Sequence, residues 1–258
     1  MCYNLKQEVI NMLTEERFST ILELLQEKKA VTVAELTQIL ETSESTIRRD
    51  LNTLHEMGKL KKVHGGATLC GEAYFTKEED VPTKSRYHIQ EKERISKYAA
   101  SLISDEDFIY IDAGTTTEHL IDYIESTKAT FVTNGIAHAK KLVQKGHKAY
   151  VLGGQFKLST EAIIGAEGLN NLKKYHFTKC FLGTNGITLE EGFSTPDIEE
   201  AMIKMEAARR SHQVFVLADH SKFGKQSSVS FASLDQAVII TDQVVDQRYK
   251  KQTVVKEV

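Results

Sequence analysis

Long apolar segments and closely spaced cysteines are both missing from this sequence of 258 residues. No apolar run approaches the roughly 20 residues that a membrane-spanning helix needs, and the opening stretch MCYNLKQEVINML lacks the apolar core of a signal peptide. The three cysteines, Cys2, Cys70 and Cys180, lie too far apart to form a paired metal-binding motif. These absences predict a globular protein of the reducing cytoplasm, with no membrane partner and no bound metal.

An overall excess of positive charge is missing as well, because the formal net charge is −3. The composition, with 41% hydrophobic and 27% charged residues, is typical of a folded protein. The length allows one large domain, or a small domain followed by a medium one. Between Arg48 and Gly66, however, five basic residues stand against two acidic ones. This local charge indicates a modest surface for a polyanion.

Two helices are predicted near the start of the chain. The first begins after Thr14, whose hydroxyl can cap it, and the second follows a capping box formed by Thr32 and Glu35. Each helix carries an apolar stripe at helical spacing. The stripe residues are Phe18, Ile21, Leu22 and Leu25 in the first helix, and Leu36, Ile39 and Leu40 in the second.

A third helix is predicted from the N-cap Ser43 to a stop at Gly58, a residue that adopts the left-handed conformation easily. Ile47, Leu51 and Leu54 are spaced by four and three residues, so they share one buried face. At about 100° per residue, the opposite face is polar. The residues of that face are Ser45, Arg49, Asn52 and Glu56, with Arg48 on its flank.

The stretch KLKKVHGGATL follows the third helix and predicts a basic hairpin, in which Gly65 and Gly66 form a tight primed turn. Helix, helix, short turn, helix and basic hairpin, in this order, are typical of a winged helix-turn-helix domain. Its third helix would read the major groove of double-stranded DNA, while its lysines would contact phosphates. The predicted DNA-binding residues are Ser43, Ser45, Thr46, Arg48, Arg49, Asn52, Lys59, Lys61, Lys62, His64 and Gly65.

A protein-contact domain is the alternative for this first region. In that interpretation Arg48 and Arg49 would pair with Asp50 or with neighbouring glutamates and would not face a nucleic acid. The capped second helix, the short turn and the hairpin, taken together, favour DNA binding.

Beyond residue 90, helical stretches alternate with the apolar segments FIYID, TFVTN, AYVLGG, KCFLG, VFVLAD and AVIIT. Such alternation predicts an α/β fold with a mainly parallel sheet covered by helices. Small and polar residues follow five of these strands, as AGTTT, NG, GG, TNG and HSK. Because the carboxyl ends of parallel strands open into one crevice, these clusters predict a ligand site there.

The cluster AGTTT indicates an anion as the ligand. Gly114 permits a tight turn, and three threonines follow where a helix begins, so free amides and the helix dipole converge on the same point. For this motif alone, plain capping of a buried helix is the alternative. Neither GxxxxGK[ST] nor GxGxxG after a strand occurs, so ATP and dinucleotides are not indicated.

The stretch ERFSTILELLQEKKAVTVAELTQILETSESTIRRDLNTLHEMGKLKKVHGGA resembles the DNA-binding domain of DeoR-type transcriptional regulators. The resemblance continues through EKERISKYAASLI, DAGTTT, FLGTNGI and LADHSKFG, and it covers nearly the whole chain from about Met12. Such proteins often begin at the position of Met12, so residues 1–11 are expected to be an extension or to follow a misplaced start.

The resemblance implies a winged helix-turn-helix domain at residues 12–69, a polar linker at 70–90 and an α/β sensor domain at 91–258. The sensor domain would be related to ribose-5-phosphate isomerase and coenzyme A transferases, and its effector would be a phosphorylated sugar, without other cofactors. For Lys204, contact with the phosphate and a surface pair with Glu200 both remain open. The predicted effector-binding residues are Asp112, Gly114, Thr115, Thr116, Thr117, Asn134, Gly153, Gly154, Gly183, Thr184, Asn185, Gly186, Thr195, Glu200, Lys204, Asp219 and Lys222.

An enzyme is the main alternative function. Acidic residues, His220 and Lys222 in the crevice could perform acid–base chemistry on a sugar phosphate, as in an isomerase with an accessory DNA- or protein-binding domain. The DNA-binding domain favours a regulator that is not an enzyme, a repressor of a sugar-utilisation operon that the effector releases from DNA. A homo-oligomer, dimer or tetramer, is expected because symmetric operators are read by symmetric proteins.

Overall fold

The computed structural model describes residues 14–28, 30–57, 59–68, 73–75 and 80–258. The chain divides into two compact units, Met1–Gly71 and Glu72–Val258. Gly58, predicted to stop the third helix, and Met12 lie outside the described residues. Within the part of the chain that is described, no helix is both long and apolar enough to cross a membrane.

The described residues of the first unit contain the predicted helices and hairpin. Thr14, predicted to cap the first helix, already belongs to that helix. The other two predicted N-caps are confirmed: Thr32 and Glu35 form the capping box of the second helix, and the Ser43 hydroxyl accepts from the amide of Thr46 at the start of the third. Such caps each stabilise a helix by about 1 kcal/mol. The elements are α1 (Thr14–Lys28), β1 (Ala30–Thr32), α2 (Val33–Ile39), α3 (Glu44–Glu56), β2 (Lys61–Val63) and β3 (Gly66–Thr68).

A strand that the sequence analysis did not predict, β1, completes a three-stranded antiparallel sheet in the order β1-β3-β2. The sheet and the three helices enclose one apolar core, which includes Ile21, Leu36 and Ile47. Ile39, predicted in the apolar stripe of α2, is instead exposed, because its neighbour Leu40 occupies the core.

The hairpin turn also differs from the prediction. The turn residues are His64 and Gly65, and Gly66 already belongs to β3. Only Gly65 has a positive φ, +81°, which suits the third position of a type II turn and not a primed turn. Gly66 is required for packing, since a Cβ there would lie 2.1 Å from the carbonyl oxygen of Val31.

The second unit is an α/β domain. Its described elements are β4 (Ala73–Phe75), α4 (Val81–Lys84), α5 (Ile89–Ala100), β5 (Phe108–Ile111), α6 (Thr115–Tyr123), β6 (Thr130–Thr133), α7 (Ile136–Gln144), β7 (Lys148–Val151), β8 (Gln155–Lys157), β9 (Ala162–Ile164), α8 (Gly165–Leu172), β10 (Phe177–Gly183), β11 (Gly186–Thr188), β12 (Gly192–Thr195), α9 (Ile198–Arg209), β13 (Ser211–Leu217), β14 (Lys225–Ser227), β15 (Val229–Ala232), β16 (Val238–Thr241), α10 (Tyr249–Gln252) and β17 (Val255–Glu257). Short 3-10 turns lie at His220–Lys222 and Leu234–Gln236.

The predicted parallel sheet is confirmed. Among the described residues it has seven strands in the order β17-β16-β13-β10-β5-β6-β7, and every neighbouring pair is parallel. The strands lie between two apolar layers: in β5, Ile109 and Ile111 face one layer and Tyr110 faces the other. Burial on both faces explains why the central strand β5 is apolar throughout.

Residues 70–90 differ from the predicted linker. Strand β4 pairs in parallel with β14, and the amide of Val81 donates to the carbonyl oxygen of Ser159. The described part of this segment therefore belongs to the second unit. Its polar composition is typical of a linker. The sequence does not show that its backbone groups bond to partners as distant as Ser159 and β14.

Candidate functional sites

The outer face of α3 is polar and open to solvent. Ser45, Arg48, Arg49, Asn52 and Glu56 are exposed, as predicted. The opposite face is packed into the core through Ile47, Leu51 and Leu54, and the outer side chains do not contribute to that packing. Their polarity is thus available for recognition.

Two ion pairs determine which charged side chains of α3 are available to a ligand. The guanidinium of Arg17 contacts the carboxylate of Asp50 at 2.8 Å, and both side chains are largely buried. Arg48 pairs with Glu44, one turn earlier, at 3.1 Å in an exposed position, where such pairs are weak. Asp50 therefore does not neutralise Arg48 or Arg49. No hydrogen bond or ion pair of the Arg49 side chain is found among the described residues.

The basic hairpin lies beside α3. Lys62 donates from its ammonium to the Oδ1 atom of Asn52 at 2.6 Å and so connects hairpin and helix. Ser43, at the N-cap, is hydrogen-bonded to the hydroxyls of Ser45 and Thr46. Exposed residues of the hairpin and its approach include Lys59, Lys61, Lys62, His64 and Gly65. Their arrangement suits contact with phosphates on both sides of a groove.

A cavity of about 240 Å³ lies at the carboxyl ends of β5, β10 and β13 in the second unit. It is lined by many of the predicted effector-binding residues. These are Gly114, Thr115, Thr116, Gly183, Thr184, Asn185, Glu200, Lys204, Asp219 and Lys222. Five lysines and two carboxylates contribute to the lining among the described residues. We call this cavity the crevice.

The start of α6 forms part of the crevice wall. The N-cap is Gly114 in an extended conformation, and among the described residues no side chain caps this helix. The first amides of a helix have no acceptor within it, so they remain available to an anion. The hydroxyl of Thr117 turns away and donates to the carbonyl oxygen of Asp112 at 2.6 Å.

A buried ion pair between Asp112 and Lys204 lies at the base of the crevice. The carboxylate also accepts from the amide of Gly183, and the ammonium donates to the carbonyl oxygen of the same residue at 3.2 Å. Burial raises the pKa of Asp112 above its ordinary value, against the opposing effect of Lys204. The surface pair considered between Lys204 and Glu200 is therefore not the arrangement of Lys204.

Glu200 has other partners. Its Oε1 atom accepts from the ammonium of Lys157 at 2.8 Å and from the hydroxyl of Thr160 at 2.7 Å. Lys157 also contacts Asp197, the N-cap of α9. The helix that carries both Glu200 and Lys204 is thus attached to two parts of the unit by buried charge pairs.

Seven predicted effector residues are placed outside the lining. Asn134 accepts from the amide of Ala113 at 2.8 Å, and Thr195 donates to Asn185. Each side chain therefore holds a crevice-lining residue in position. A Cβ at Gly186 would lie 2.2 Å from the carbonyl oxygen of Lys225, so close packing requires this glycine. The seven residues are Asp112, Thr117, Asn134, Gly153, Gly154, Gly186 and Thr195.

The sequence analysis missed one wall of the crevice. Lys84, Tyr87, His88 and Lys92 line it, although they follow no strand of the sheet and so carried no positional signal. Lys92 is 4% exposed, and burial lowers its pKa to about 8. A lysine inside an otherwise apolar helical stripe was the available signal, because burying an ammonium is costly without a purpose.

Comparison with known proteins assigns both units. A family model described as "DeoR-like helix-turn-helix domain" matches residues 17–73, and one described as "DeoR C terminal sensor domain" matches residues 87–243. The HTH-type transcriptional regulator FruR of Bacillus subtilis is 44% identical over 251 residues, which cover 96% of this chain and 99% of that protein. The lactose phosphotransferase system repressor of Streptococcus mutans is 33% identical and covers 93% of this chain and 96% of its own.

Among solved structures, ribose 5-phosphate isomerase A of Methanocaldococcus jannaschii matches 51% of this chain and 53% of its own, with 15% identity and a TM-score of 0.39. The family models and the two regulators together span the helix-turn-helix and the sensor regions. This chain belongs to the DeoR family of DNA-binding transcriptional regulators.

Proposed function

We propose that the protein represses a sugar-utilisation operon and is released from operator DNA when a phosphorylated sugar occupies the crevice. The relatives support this direction by name, since one is a lactose phosphotransferase system repressor and another is the transcriptional repressor GlcR of Bacillus subtilis. The proposal goes further than family membership in three respects: the chemistry of the effector, its place, and the sign of its effect.

The observation that carries the proposal is that the start of α6 and several lysines line the same crevice. The uncapped start of α6 and the hydroxyls of Thr115 and Thr116 lie on one wall, and lysines lie around it. Helix amides, hydroxyls and ammonium groups are the donors that bind phosphate monoesters.

Polar groups suited to sugar hydroxyls complete the lining. Asn185 and Thr184 follow β10, and Asp219 follows β13. Amide and carboxylate oxygens accept from hydroxyls, whereas the lysines favour the phosphate, so the two ends of the ligand would be distinguished. The crevice volume is compatible with a ligand of this small size.

Release from DNA requires linkage between the two units. The sugar phosphate must bind the DNA-competent and the DNA-incompetent arrangements with different affinities, because a ligand that binds both equally shifts nothing. Each molecule would act within a homo-oligomer, dimer or tetramer, that places two α3 helices on the half-sites of a symmetric operator.

Fluorescence anisotropy tests the proposal with the full-length protein and DNA taken from upstream of its own gene. Fructose, tagatose and glycerol phosphates are titrated into the protein–DNA complex, with the unphosphorylated sugars as matched controls. The expected result is release by one phosphorylated compound and not by its parent sugar. Unchanged DNA affinity with every compound contradicts the proposed effector. Rapid turnover of a sugar phosphate would favour the isomerase-like alternative.

A further inference from the structure

Two histidines and a carboxylate lie together beside the crevice, which His88 and Asp219 line. His88, Asp219 and His220 each place a potential ligand atom within 4.8 Å of the others. The imidazole rings of His88 and His220 lie edge to face, with centroids 5.1 Å apart. His88 precedes α5 and the other two follow β13, so the cluster joins segments that are distant in the sequence. The proposed binding of phosphate does not use these imidazoles.

His220 is held in a defined orientation. Its Nδ1 atom lies 2.8 Å from the Oδ2 atom of Asp242, whose side chain is 4% exposed, and its backbone amide donates to Oδ1 of the same carboxylate at 2.7 Å. A hydrogen bond from Nδ1–H to a carboxylate leaves Nε2 with its lone pair. Metal-binding histidines typically show this second hydrogen bond, because it fixes the tautomer and the ring direction.

His88 has an unusual backbone. It adopts φ 53° and ψ 43°, in the left-handed region that residues other than glycine seldom occupy. The conformation costs of order 1 kcal/mol, and it occurs where the chain turns into α5 beside the ring of His220. Residues with a strained backbone of this kind are frequent at binding sites, where the surrounding structure imposes the conformation.

Asp219 supplies the negative charge of the cluster. The residue is 1% exposed. Burial would raise the pKa of its carboxyl, but Lys222, a hydrogen bond from Ser221 and His88 oppose this effect, and the pKa lies below its ordinary value. The Oδ1 atom of Asp219 accepts from the amide of Ser221 at 2.9 Å.

We infer that His88, Asp219 and His220 bind a divalent transition-metal ion, with its remaining coordination positions open to the crevice. Two imidazole nitrogens and one carboxylate oxygen suit Zn²⁺, Co²⁺ or Fe²⁺, whereas Mg²⁺ and Ca²⁺ prefer oxygen ligands alone. Closing the cluster to bonding distances near 2.1 Å requires small side-chain movements. The cysteine spacing carried no signal of such a site, because none of its three ligands is a cysteine.

Nearby lysines would affect the affinity of the proposed site for a cation. Lys92 and Lys222 act on Asp219 electrostatically, so they compete with a cation and lower its affinity. Once bound, the ion would add to the positive field of the crevice and offer a coordination position to an oxyanion. Asp219 belongs to both proposed sites, but the test of metal binding does not depend on the effector, because it is carried out with neither DNA nor sugar phosphate present.

Cobalt provides the probe, because tetrahedral or five-coordinate Co²⁺ has visible absorption that reports its ligands. The full-length protein is titrated with CoCl₂, followed by displacement with ZnCl₂ and, in a parallel sample, with MgCl₂. The variants are His88→Asn and His220→Asn. Asparagine tolerates the left-handed conformation needed at residue 88, and at residue 220 its amide can still donate to Asp242. Exposed His212, replaced as His212→Asn, is the matched control.

The expected result is one Co²⁺ per chain, displaced by Zn²⁺ and not by Mg²⁺, with binding weakened at least about tenfold in both cluster variants and unchanged in His212→Asn. Thermal unfolding of each variant shows whether it is folded. If one cluster variant does not fold, the other decides. The inference is overturned if the wild-type protein binds no stoichiometric Co²⁺, or if a folded cluster variant binds it as tightly as the wild-type protein.

Discussion

The outer face of α3 and the crevice of the second unit place their functional residues in opposite environments. On α3, Arg49 and Asn52 are exposed, and the core beneath them is formed by other residues. At the base of the crevice, Asp112 is 1% and Lys204 5% exposed. The outer side chains of α3 can be changed with little effect on the fold, whereas the ion pair at the base of the crevice also contributes to stability.

The proposed ligands would require this contrast. A DNA duplex is large and remains outside the protein, so side chains must extend into solvent to reach it. A small phosphorylated ligand would be enclosed, so its partners are buried, and a buried charge requires compensation from a neighbour. Substitutions in the two regions should accordingly separate loss of binding from loss of stability.

The largest effect is expected for Asp112→Ala. The change leaves the ammonium of Lys204 buried without its carboxylate, which costs about 3–5 kcal/mol of unfolding free energy. Urea denaturation measures the loss. The double variant Asp112→Leu with Lys204→Met should recover much of it, because no charge is then left buried. A loss below about 1 kcal/mol would show that water or rearrangement compensates Lys204.

Arg49→Ala should show the converse behaviour. Operator affinity should fall by about 1–3 kcal/mol, with loss of specificity, if the guanidinium reads a base edge. The unfolding free energy should change by no more than about 0.5 kcal/mol, because the side chain is exposed. Arg48→Ala is the matched comparison, and its pairing with Glu44 should make its effect smaller. Undiminished operator binding by Arg49→Ala would mean that α3 presents another face.

A smaller effect is expected for Thr116→Ala. Removing one hydroxyl from the crevice wall should weaken sugar-phosphate binding by about 0.5–1.5 kcal/mol and leave DNA binding unchanged. Calorimetry with the effector identified by anisotropy measures this. Thr116→Ser retains the hydroxyl and should bind like the wild-type protein. Equal affinities for the alanine and wild-type proteins would remove this hydroxyl from the site.

The smallest effect concerns pH. The folded pKa of Lys92, about 8, lies below its ordinary value, so its ammonium charge in the folded protein is lost as the pH rises through 8. Effector affinity should fall between pH 7 and pH 9, as followed by calorimetry. In the unfolded chain the lysine keeps its proton to higher pH, so this group makes folding more favourable above about pH 8. Lys92→Arg, which stays charged, should flatten the affinity profile.

Local patterns predicted much of this architecture. Spacing identified the buried face of α3, and capping residues identified two helix starts, because these features depend on neighbours within a few residues. Alternation of apolar and helical segments predicted the parallel sheet and the position of the crevice.

Contacts between residues that are far apart in the sequence could not be predicted from local patterns. Lys204 pairs with Asp112 and not with Glu200, although Glu200 is four residues away and Asp112 is separated by 92. Strand β1 is too short to be recognised without its partner β3. The wall formed by Lys84, His88 and Lys92 depends on how the segment folds back, which no local pattern reports.

The loop between β5 and α6 is fully assembled by the protein's own side chains: Asn134 holds the amide of Ala113, and the hydroxyl of Thr117 holds the carbonyl oxygens of Asp112 and Gly114. Because the loop is already held in place, binding an anion there would cost little conformational entropy. If the proposed phosphate binds at this loop, the loop would recognise the anion, and selection among different sugars would fall to the facing wall.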